Sequence, residues 1–264
     1  MLMNELLKHL YERVTWPIQE KWIGTLQAAA LVRSVYMTRA LKKYISKNKK
    51  YDILDAGSGE GAPLTAVQAR RFRKCNFVAV DLHQKYPSKI HLPVPPNIMF
   101  IKDDLFKYST KNQYDIIICL DVLEHVNDYK KMLILFSEWS KPAGKLILHV
   151  PSLPQVRYFT KNNLLPNSDK KQRLGDCHVR EGFQFEKIQK EMENVGFKII
   201  YSRYTFSPFT WFLKELFSIG ERESFPGIGI VMLPLVWLST KIEIFLKLRR
   251  GNGIFLVAEK MPKK

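Results

Sequence analysis

The sequence is short of cysteine and of cysteine motifs. Its 264 residues include three cysteines, Cys75, Cys119 and Cys177, which lie far apart and form no CxxC pair. This spacing indicates neither a disulfide framework nor a cysteine zinc site. The default expectation is therefore a protein of the reducing cytoplasm.

Long apolar runs are also missing. The longest covers residues 228–238 and is interrupted by Pro234, whereas a helix that crosses a bilayer needs about 20 apolar residues. The first ten residues contain Glu5 and Lys8 and no small-residue cleavage site, so no signal peptide is expected. We therefore expect no membrane span, although these absences leave a peripheral position on the inner face of a membrane open.

Acidic residues are few relative to basic ones. Lys and Arg number 42 and Asp and Glu 25, which gives a net charge of +17. Such an excess attracts nucleic acid, an anionic membrane surface or an acidic substrate, and does not choose among them. Residues 39–50 carry cations and no acid. A solvated helix end is the first interpretation of that stretch, and a surface for anionic partners is the second.

Short apolar runs alternate with helical stretches from Tyr51 onward. This alternation predicts a parallel α/β sheet with helices on both faces. Predicted strands lie near residues 53–56, 77–80, 98–101, 116–120, 146–150, 197–204 and 254–259, and helices near 63–73, 128–140 and 183–194. We expect one structural domain with four parts: an N-terminal helical cap (1–50), a core (51–204), an apolar aromatic helical insertion (205–250), and the last strand with a basic tail (251–264).

A glycine-rich loop follows the first predicted strand. Gly57, Gly59 and Ala62 match G-x-G-x-x-A, and Asp81 falls about 20 residues later. The pattern permits NAD, FAD or S-adenosylmethionine. Asp55 and Glu60 flank the loop, which disfavours a pyrophosphate and suits the ammonium and sulfonium groups of S-adenosylmethionine. A turn that needs glycine only for packing is the alternative interpretation.

Acidic residues end the next two predicted strands. Asp81 ends the second, where its carboxylate can accept hydrogen bonds from ribose hydroxyls or cap a helix. Asp103 and Asp104 follow the third, and either can meet the adenine amino group. Alignment on Leu105 favours Asp104.

These motifs together resemble class I S-adenosylmethionine-dependent methyltransferases, in particular the group that includes the ubiquinone and menaquinone biosynthesis enzymes. Residues 54–61, Asp81, 103–105 and 121–126 carry the resemblance, which covers about 51–152. It implies a Rossmann-like seven-stranded, mostly parallel sheet with an antiparallel last strand, and S-adenosylmethionine as cofactor. The cofactor-binding residues that we expect are Asp55, Gly57, Ser58, Gly59, Gly61, Asp81, Leu82, Asp103, Asp104, Leu105, Leu120 and Asp121.

Methyl transfer from a sulfonium needs a base only where the acceptor must lose a proton. His178 and His149 are the predicted bases, and His125 is expected to hold the loop after the fourth strand. His178 with Arg180 can alternatively form a lid or bind an anionic acceptor group. Some quinone-biosynthesis O-methyltransferases hold a divalent cation on an array like Asp121, Glu124 and His125. Helix capping explains the same residues, and no metal is predicted.

Missing sequence motifs narrow the class of molecule that accepts the methyl group. After the fourth strand there is no Asn/Asp-Pro-Pro-aromatic tetrapeptide, no proline precedes Cys119, and no RNA-binding module is recognisable. A nucleic-acid substrate is therefore disfavoured. The sequence favours a small, hydrophobic or lipid-linked acceptor, with a tRNA or rRNA methyltransferase and a non-catalytic S-adenosylmethionine-binding scaffold as alternatives. It does not predict an oligomeric state.

The insertion is rich in aromatic residues. Its apolar positions recur on one helical face at Phe209, Phe212, Leu213, Leu216 and Phe217, and cations follow it. This pattern favours contact with an anionic membrane surface. Packing on the sheet edge, a dimer interface and a substrate channel are alternative uses of the same residues.

Overall fold

The computed structural model describes residues 27–46, 48–83, 94–110, 113–159, 178–222, 228–246 and 248–262. The predicted helices before residue 27 lie outside this part of the chain. The described elements are, in order, α1 (Ala28–Tyr44), β1 (Asp52–Ala56), α2 (Pro63–Arg71), β2 (Asn76–Asp81), β3 (Ile98–Lys102), β4 (Tyr114–Leu120), α3 (Tyr129–Trp139), β5 (Ser140–Pro151), α4 (Phe185–Asn194), β6 (Phe197–Thr205), α5 (Pro208–Arg222), α6 (Ile228–Phe245) and β7 (Gly253–Lys260).

The seven strands form one sheet in the order β3-β2-β1-β4-β5-β7-β6. Strand β7 runs antiparallel to both of its neighbours, and the other adjacent pairs are parallel. The order reverses between β1 and β4, and in such sheets a cleft opens at the carboxyl ends of the strands on either side of that point. This architecture confirms the predicted fold.

Helices cover both faces of the sheet, as the alternation of elements predicts. On one face, α1, α5 and α6 pack over a core that includes Tyr36 and Phe255. On the other, α3 and α4 cover a core that includes Phe136 and Leu148. The central strands are buried from both sides, which explains why they read as continuous apolar runs and not as alternating ones.

The insertion forms two helices, α5 and α6, that pack against each other and against α1. The predicted apolar face of α5 is divided: Leu213 and Phe217 are buried in the core, whereas Phe209 and Leu216 are exposed. Packing on the fold therefore accounts for part of this face. In the described part of the chain, no helix is long and apolar enough to cross a bilayer.

A buried carboxylate holds the insertion in place. Glu243 of α6 accepts hydrogen bonds from the Tyr36 hydroxyl (2.9 Å), the Thr210 hydroxyl (2.8 Å) and the amides of Phe206 (3.2 Å) and Ser207 (2.9 Å). Its side chain thus connects α1, the start of α5 and α6. Charge-assisted bonds of this kind are worth more than neutral ones, and the donors are costly to leave unpaired.

We expect Glu243→Ala to lower the free energy of unfolding by about 3–5 kcal/mol, because it leaves four donors without their acceptor. Urea denaturation measures the change. Glu138→Ala, on the exposed side of α3, is the control and should stay within about 0.5 kcal/mol of the parent protein. A loss below about 1 kcal/mol for Glu243→Ala would contradict this role.

Candidate active site

The glycine loop after β1 adopts left-handed backbone conformations. Gly57, Gly59 and Gly61 have φ values of 80°, 72° and 75°, which glycine adopts without steric cost. A Cβ on Gly57 would lie 2.3 Å from Cγ2 of Val122, whereas a Cβ on Gly59 would meet no atom within 4 Å. The space over Gly59 is therefore an open cradle that even a methyl group would begin to fill.

The first loop amides point toward β2. The N–H groups of Gly57 (2.9 Å) and Ser58 (3.2 Å) both donate to the carbonyl of Val80. Pro63 opens α2 and has no N–H to donate. A pyrophosphate binds to free amide N–H groups at the start of a helix. Because these two amides are bonded to Val80 and Pro63 has no N–H, the loop suits a cofactor without phosphates.

Asp81 combines a structural role with free capacity to bind a ligand. Its Oδ2 accepts the N–H of Gly59 and its Oδ1 accepts that of His83, both at 2.8 Å. Each carboxylate oxygen has a second lone pair, so two acceptor positions remain for the two ribose hydroxyls. The adjacent Leu82 is exposed. These features fit the predicted cofactor.

The acids after β3 shape a tight turn. Asp103 accepts the N–H of Asp104 (2.8 Å), and Asp104 accepts that of Phe106 (2.9 Å). Leu105, which follows the two acids, is buried in the core. The turn brings these residues to the same edge of the sheet as Asp81, and their contact with adenine stays a prediction.

Asp55 lies buried beneath the glycine loop. The Thr65 hydroxyl donates to its carboxylate. Burial raises the pKa of Asp55 to about 7, and the negative charge of Asp81 adds to this rise against the opposing effect of the Thr65 hydrogen bond. A cation bound in the cleft would stabilise the Asp55 carboxylate, so the site has the right sign for a sulfonium or ammonium group.

Asp121 anchors a network at the end of β4. Its Oδ2 lies 2.8 Å from Nη1 of Arg33, and its Oδ1 bonds to Nδ1 of His149. The second ring nitrogen of His149 lies 2.8 Å from the Thr205 hydroxyl. Burial alone would raise the pKa of Asp121, but His149 and Arg33 outweigh it and hold the value well below the usual range.

Arg33 and Thr205 are site residues that sequence reasoning missed. They lie 88 positions before and 84 positions after Asp121, and no local motif signals either of them. Gly253 packs directly against this network. A Cβ at this position would lie 2.3 Å from the Thr205 hydroxyl and 2.6 Å from Nε2 of His149. The network thus requires glycine at this position of β7.

The two predicted bases occupy different surroundings. His149 is 2% exposed and both of its ring nitrogens have partners, so this geometry favours orientation of Asp121 over proton transfer. His178 is exposed, and its ring centroid lies 4.4 Å from that of His125. The catalytic roles of both histidines stay predictions.

Glu124, His125 and His178 form a compact cluster, with one ligand atom from each within 4.8 Å of the others. Glu124 is buried, and its Oε2 has no hydrogen-bond partner among the described residues. Burial and the charge of Asp121 raise the pKa of Glu124 to about 9. A divalent cation bound by the cluster would favour the ionised form of Glu124. The cluster differs from the alternative array of Asp121, Glu124 and His125 considered from the sequence, because Asp121 is paired with Arg33 and His149.

Arg180 holds the loop after β4. Its guanidinium donates to the carbonyls of Leu123, Val126 (2.7 Å) and Asn127 (2.8 Å) and lies 4.8 Å from the Tyr129 ring centroid. This use of the donors favours a structural role over the anion-binding alternative considered from the sequence.

The raised pKa of Asp55 predicts a pH-dependent stability. Between about pH 4 and 7 the folded protein binds a proton at Asp55 that the unfolded chain has released, so stability falls as pH rises through this window. Asp55→Asn should remove this fall, which amounts to up to about 4 kcal/mol, and should weaken binding of S-adenosylmethionine at pH 8 at least about tenfold.

Urea denaturation at pH 5 and pH 8, with calorimetric titration of S-adenosylmethionine, checks both effects. The exposed-acid control Glu138→Gln should keep the parent pH profile. Parallel pH profiles for Asp55→Asn and the parent protein would refute the assignment.

Comparison with known proteins identifies the family. A sequence model of the methyltransferase domain family matches residues 29–202, which is more than half of the chain. A ubiquinone biosynthesis O-methyltransferase of Rickettsia bellii is 27% identical over 161 residues, covering 59% of this chain and 65% of the relative. The chain thus spans slightly less than two thirds of that relative. An (S)-coclaurine N-methyltransferase of Papaver somniferum is 29% identical over 126 residues, covering 46% of this chain and 34% of the relative.

Solved structures share the fold. Phosphoethanolamine N-methyltransferase 2 of Haemonchus contortus, determined in complex with S-adenosyl-L-methionine, superposes with a TM-score of 0.57 at 18% identity. The match covers 97% of this chain and 60% of that structure. The family predicted from the glycine loop and the strand-end acids is confirmed. The chain belongs to the methyltransferase domain family and has the class I fold whose members use S-adenosylmethionine as cofactor.

Proposed function

We propose that the protein transfers the methyl group of S-adenosylmethionine to a small hydrophobic or lipid-linked acceptor at a membrane surface. The observation that carries this proposal is the cleft at the ends of β1, β2 and β4. There the open cradle over Gly59 adjoins the Asp81 carboxylate, and the Asp121 network follows β4, the strand that pairs with β1. The match to the methyltransferase domain family supports the same chemistry.

Each end of the cofactor has a chemically matched group in the cleft. Asp81 would bind the ribose, Asp103 or Asp104 the adenine, and Asp55 and Asp121 would attract the cationic methionine end. When bound, the cofactor supplies a methyl group that its sulfonium already activates. The residues of the chain need only to orient it and to exclude water from the reacting atoms.

Aromatic side chains beside the cleft support an apolar acceptor. Phe206 lies 5.8 Å from the His149 ring and 5.6 Å from the Trp211 ring, and Phe212 lies 5.6 Å from Tyr158. These residues follow β5 and β6, whose carboxyl ends meet at the same edge of the sheet as those of β1 and β4. They supply one wall suited to a flat or apolar molecule.

Glu215 orders this aromatic wall. It is buried and accepts hydrogen bonds from the Trp211 indole (2.7 Å) and from the amides of Tyr158 (3.0 Å) and Phe159 (2.8 Å). The names of the quinone and alkaloid methyltransferase relatives describe small-molecule acceptors and support the same class. They favour neither oxygen nor nitrogen as the attacking atom.

Incubation with labelled S-adenosylmethionine and a detergent-solubilised lipid and metabolite extract of the source cells tests the function. We expect label in the organic phase. Label in RNA would overturn the proposal in favour of a tRNA or rRNA methyltransferase. Tight cofactor binding without label in any fraction would instead support a non-catalytic scaffold. Gly59→Val, which fills the cradle, is the matched negative control for transfer.

His178 is the proposed base where the acceptor is a hydroxyl. Because its side chain is exposed, we expect His178→Asn to fold normally, to keep its affinity for S-adenosylmethionine and to lower the rate of label transfer by about 10²–10⁴. Single-turnover kinetics measure the rate. Val179→Ala, an exposed neighbour on the same segment, should retain the parent rate.

Two outcomes would change this assignment. A His178→Asn rate within about twofold of the parent would remove the base. A rate abolished by EDTA and restored by Mg²⁺ would instead assign the Glu124, His125 and His178 cluster to a metal.

A further inference from the structure

The outward half of α6 exposes a continuous apolar stripe. Successive residues of the stripe are alternately four and three positions apart in the sequence, which places them on one helical face. They are Val231, Leu235, Leu238, Ile242 and Phe245, with exposed fractions between 44% and 79%. The opposite half of the helix, including Met232 and Val236, is buried against the fold. An exposed apolar surface of this extent marks an interaction site more often than an ordinary monomer surface.

Cations from three helices converge beside this stripe. Lys241 belongs to α6, Arg39 and Lys42 to α1, and Arg71 ends α2. Burial, followed by the positive charges of Lys42, Arg39 and Arg71, lowers the pKa of Lys241. Lys241 directly precedes Ile242 of the stripe. We call these four side chains the cationic cluster.

Packing contacts hold the three helices in this arrangement. The Tyr36 hydroxyl donates to Glu243 at 2.9 Å and joins α1 to α6. Nη1 of Arg71 lies 3.2 Å from the Thr38 hydroxyl and joins α2 to α1. The convergence of charge is thus built into the helix packing.

Acidic side chains do not balance the cluster from its own helices. The sequences of α1 and α2 contain no Asp or Glu. The single acid of α6, Glu243, is buried and bonded to four donors. Trp237 is also exposed, with Nζ of Lys241 5.2 Å from its ring centroid. A cation beside an exposed indole is typical of residues that lie at a lipid–water interface.

We propose that the outward face of α6 and the cluster of Arg39, Lys42, Arg71 and Lys241 form a docking surface for anionic phospholipid membranes. Helix α6 lies in the plane of the interface, with its apolar stripe among the acyl chains and the four cations at the headgroup phosphates. Charge complementarity favours this occupant over a second copy of the chain, which carries the same cluster. This inference rests on the proposed function for its purpose. The α6 part of the docking surface lies outside the family match, because that match ends at residue 202, before α6 begins.

Vesicle flotation without methyl acceptor or cofactor tests the docking surface. The probes are phosphatidylcholine vesicles with and without about one third phosphatidylglycerol. We expect binding to the anionic vesicles, weakened by salt. The double variant Lys42→Gln/Lys241→Gln should bind them about 10- to 30-fold more weakly. Leu238→Asn/Ile242→Asn should lose the binding that remains at high salt.

Matched controls lie on the opposite face of the sheet. Lys187→Gln/Lys190→Gln removes two exposed cations of α4, and Ile134→Asn replaces an exposed apolar residue of α3. Both should bind like the parent protein. Circular dichroism and thermal unfolding establish that each variant is folded before flotation.

Three results would overturn the proposal: no binding by the parent protein, equal loss in the controls, or a dimer in sedimentation that Leu238→Asn/Ile242→Asn dissociates while vesicle binding is absent. Failure here with methyl transfer intact in the detergent-solubilised extract would leave the enzymatic proposal standing. The reverse result would remove the methyl-transfer proposal alone.

Discussion

The contacts of Asp121 with Arg33 and His149 fix the geometry on which the site depends. Asp121 has a left-handed φ of 53°, a conformation that costs a non-glycine residue free energy unless its surroundings hold it there. Arg33 of α1 and His149 of β5 supply that restraint, and Thr205 of β6 holds His149. One side chain at the end of β4 thus connects four elements at the edge where the cofactor cleft opens.

Four carboxylates of this protein are buried. Asp55, Glu124, Glu215 and Glu243 are each at most 5% exposed, and each lies at a functional edge or at a junction between helices. With these carboxylates withdrawn from the surface, the net charge of +17 understates how cationic the solvent-facing side is. The same composition therefore gives an acidic cleft suited to a cationic cofactor and a basic exterior suited to an anionic partner.

The strands and the glycine loop could be predicted because their signals are local. The buried runs of β1 and β4 are apolar on both faces, and the loop places Gly57 and Gly59 where only glycine is unstrained. The Arg33 and Thr205 contacts could not be predicted, because Arg33 bonds to Asp121 across 88 positions and Thr205 to His149 across 56, and no shared motif links either pair. Periodicity also predicts that the apolar positions of α5 share one helical face, but it does not predict which of them are buried against another helix. The packing of these helices also involves Glu243, whose four hydrogen-bond donors come from two separate segments, α1 and residues 206–210.

The insertion links the two proposals physically. Helix α5 contributes Trp211 and Phe212 to the aromatic wall beside the cleft and also exposes Phe209 and Leu216. Its first turn is held by Glu243 of α6, the helix whose outward face we assign to the membrane. An acceptor dissolved in the bilayer would then meet apolar side chains of one helix hairpin from the acyl region to the cleft edge. For such a molecule, transfer into water is the costly step, so a hairpin that shortens the aqueous path lowers the barrier to reaching the site. The insertion would then serve substrate access, while the chemistry stays with the strand ends of the core.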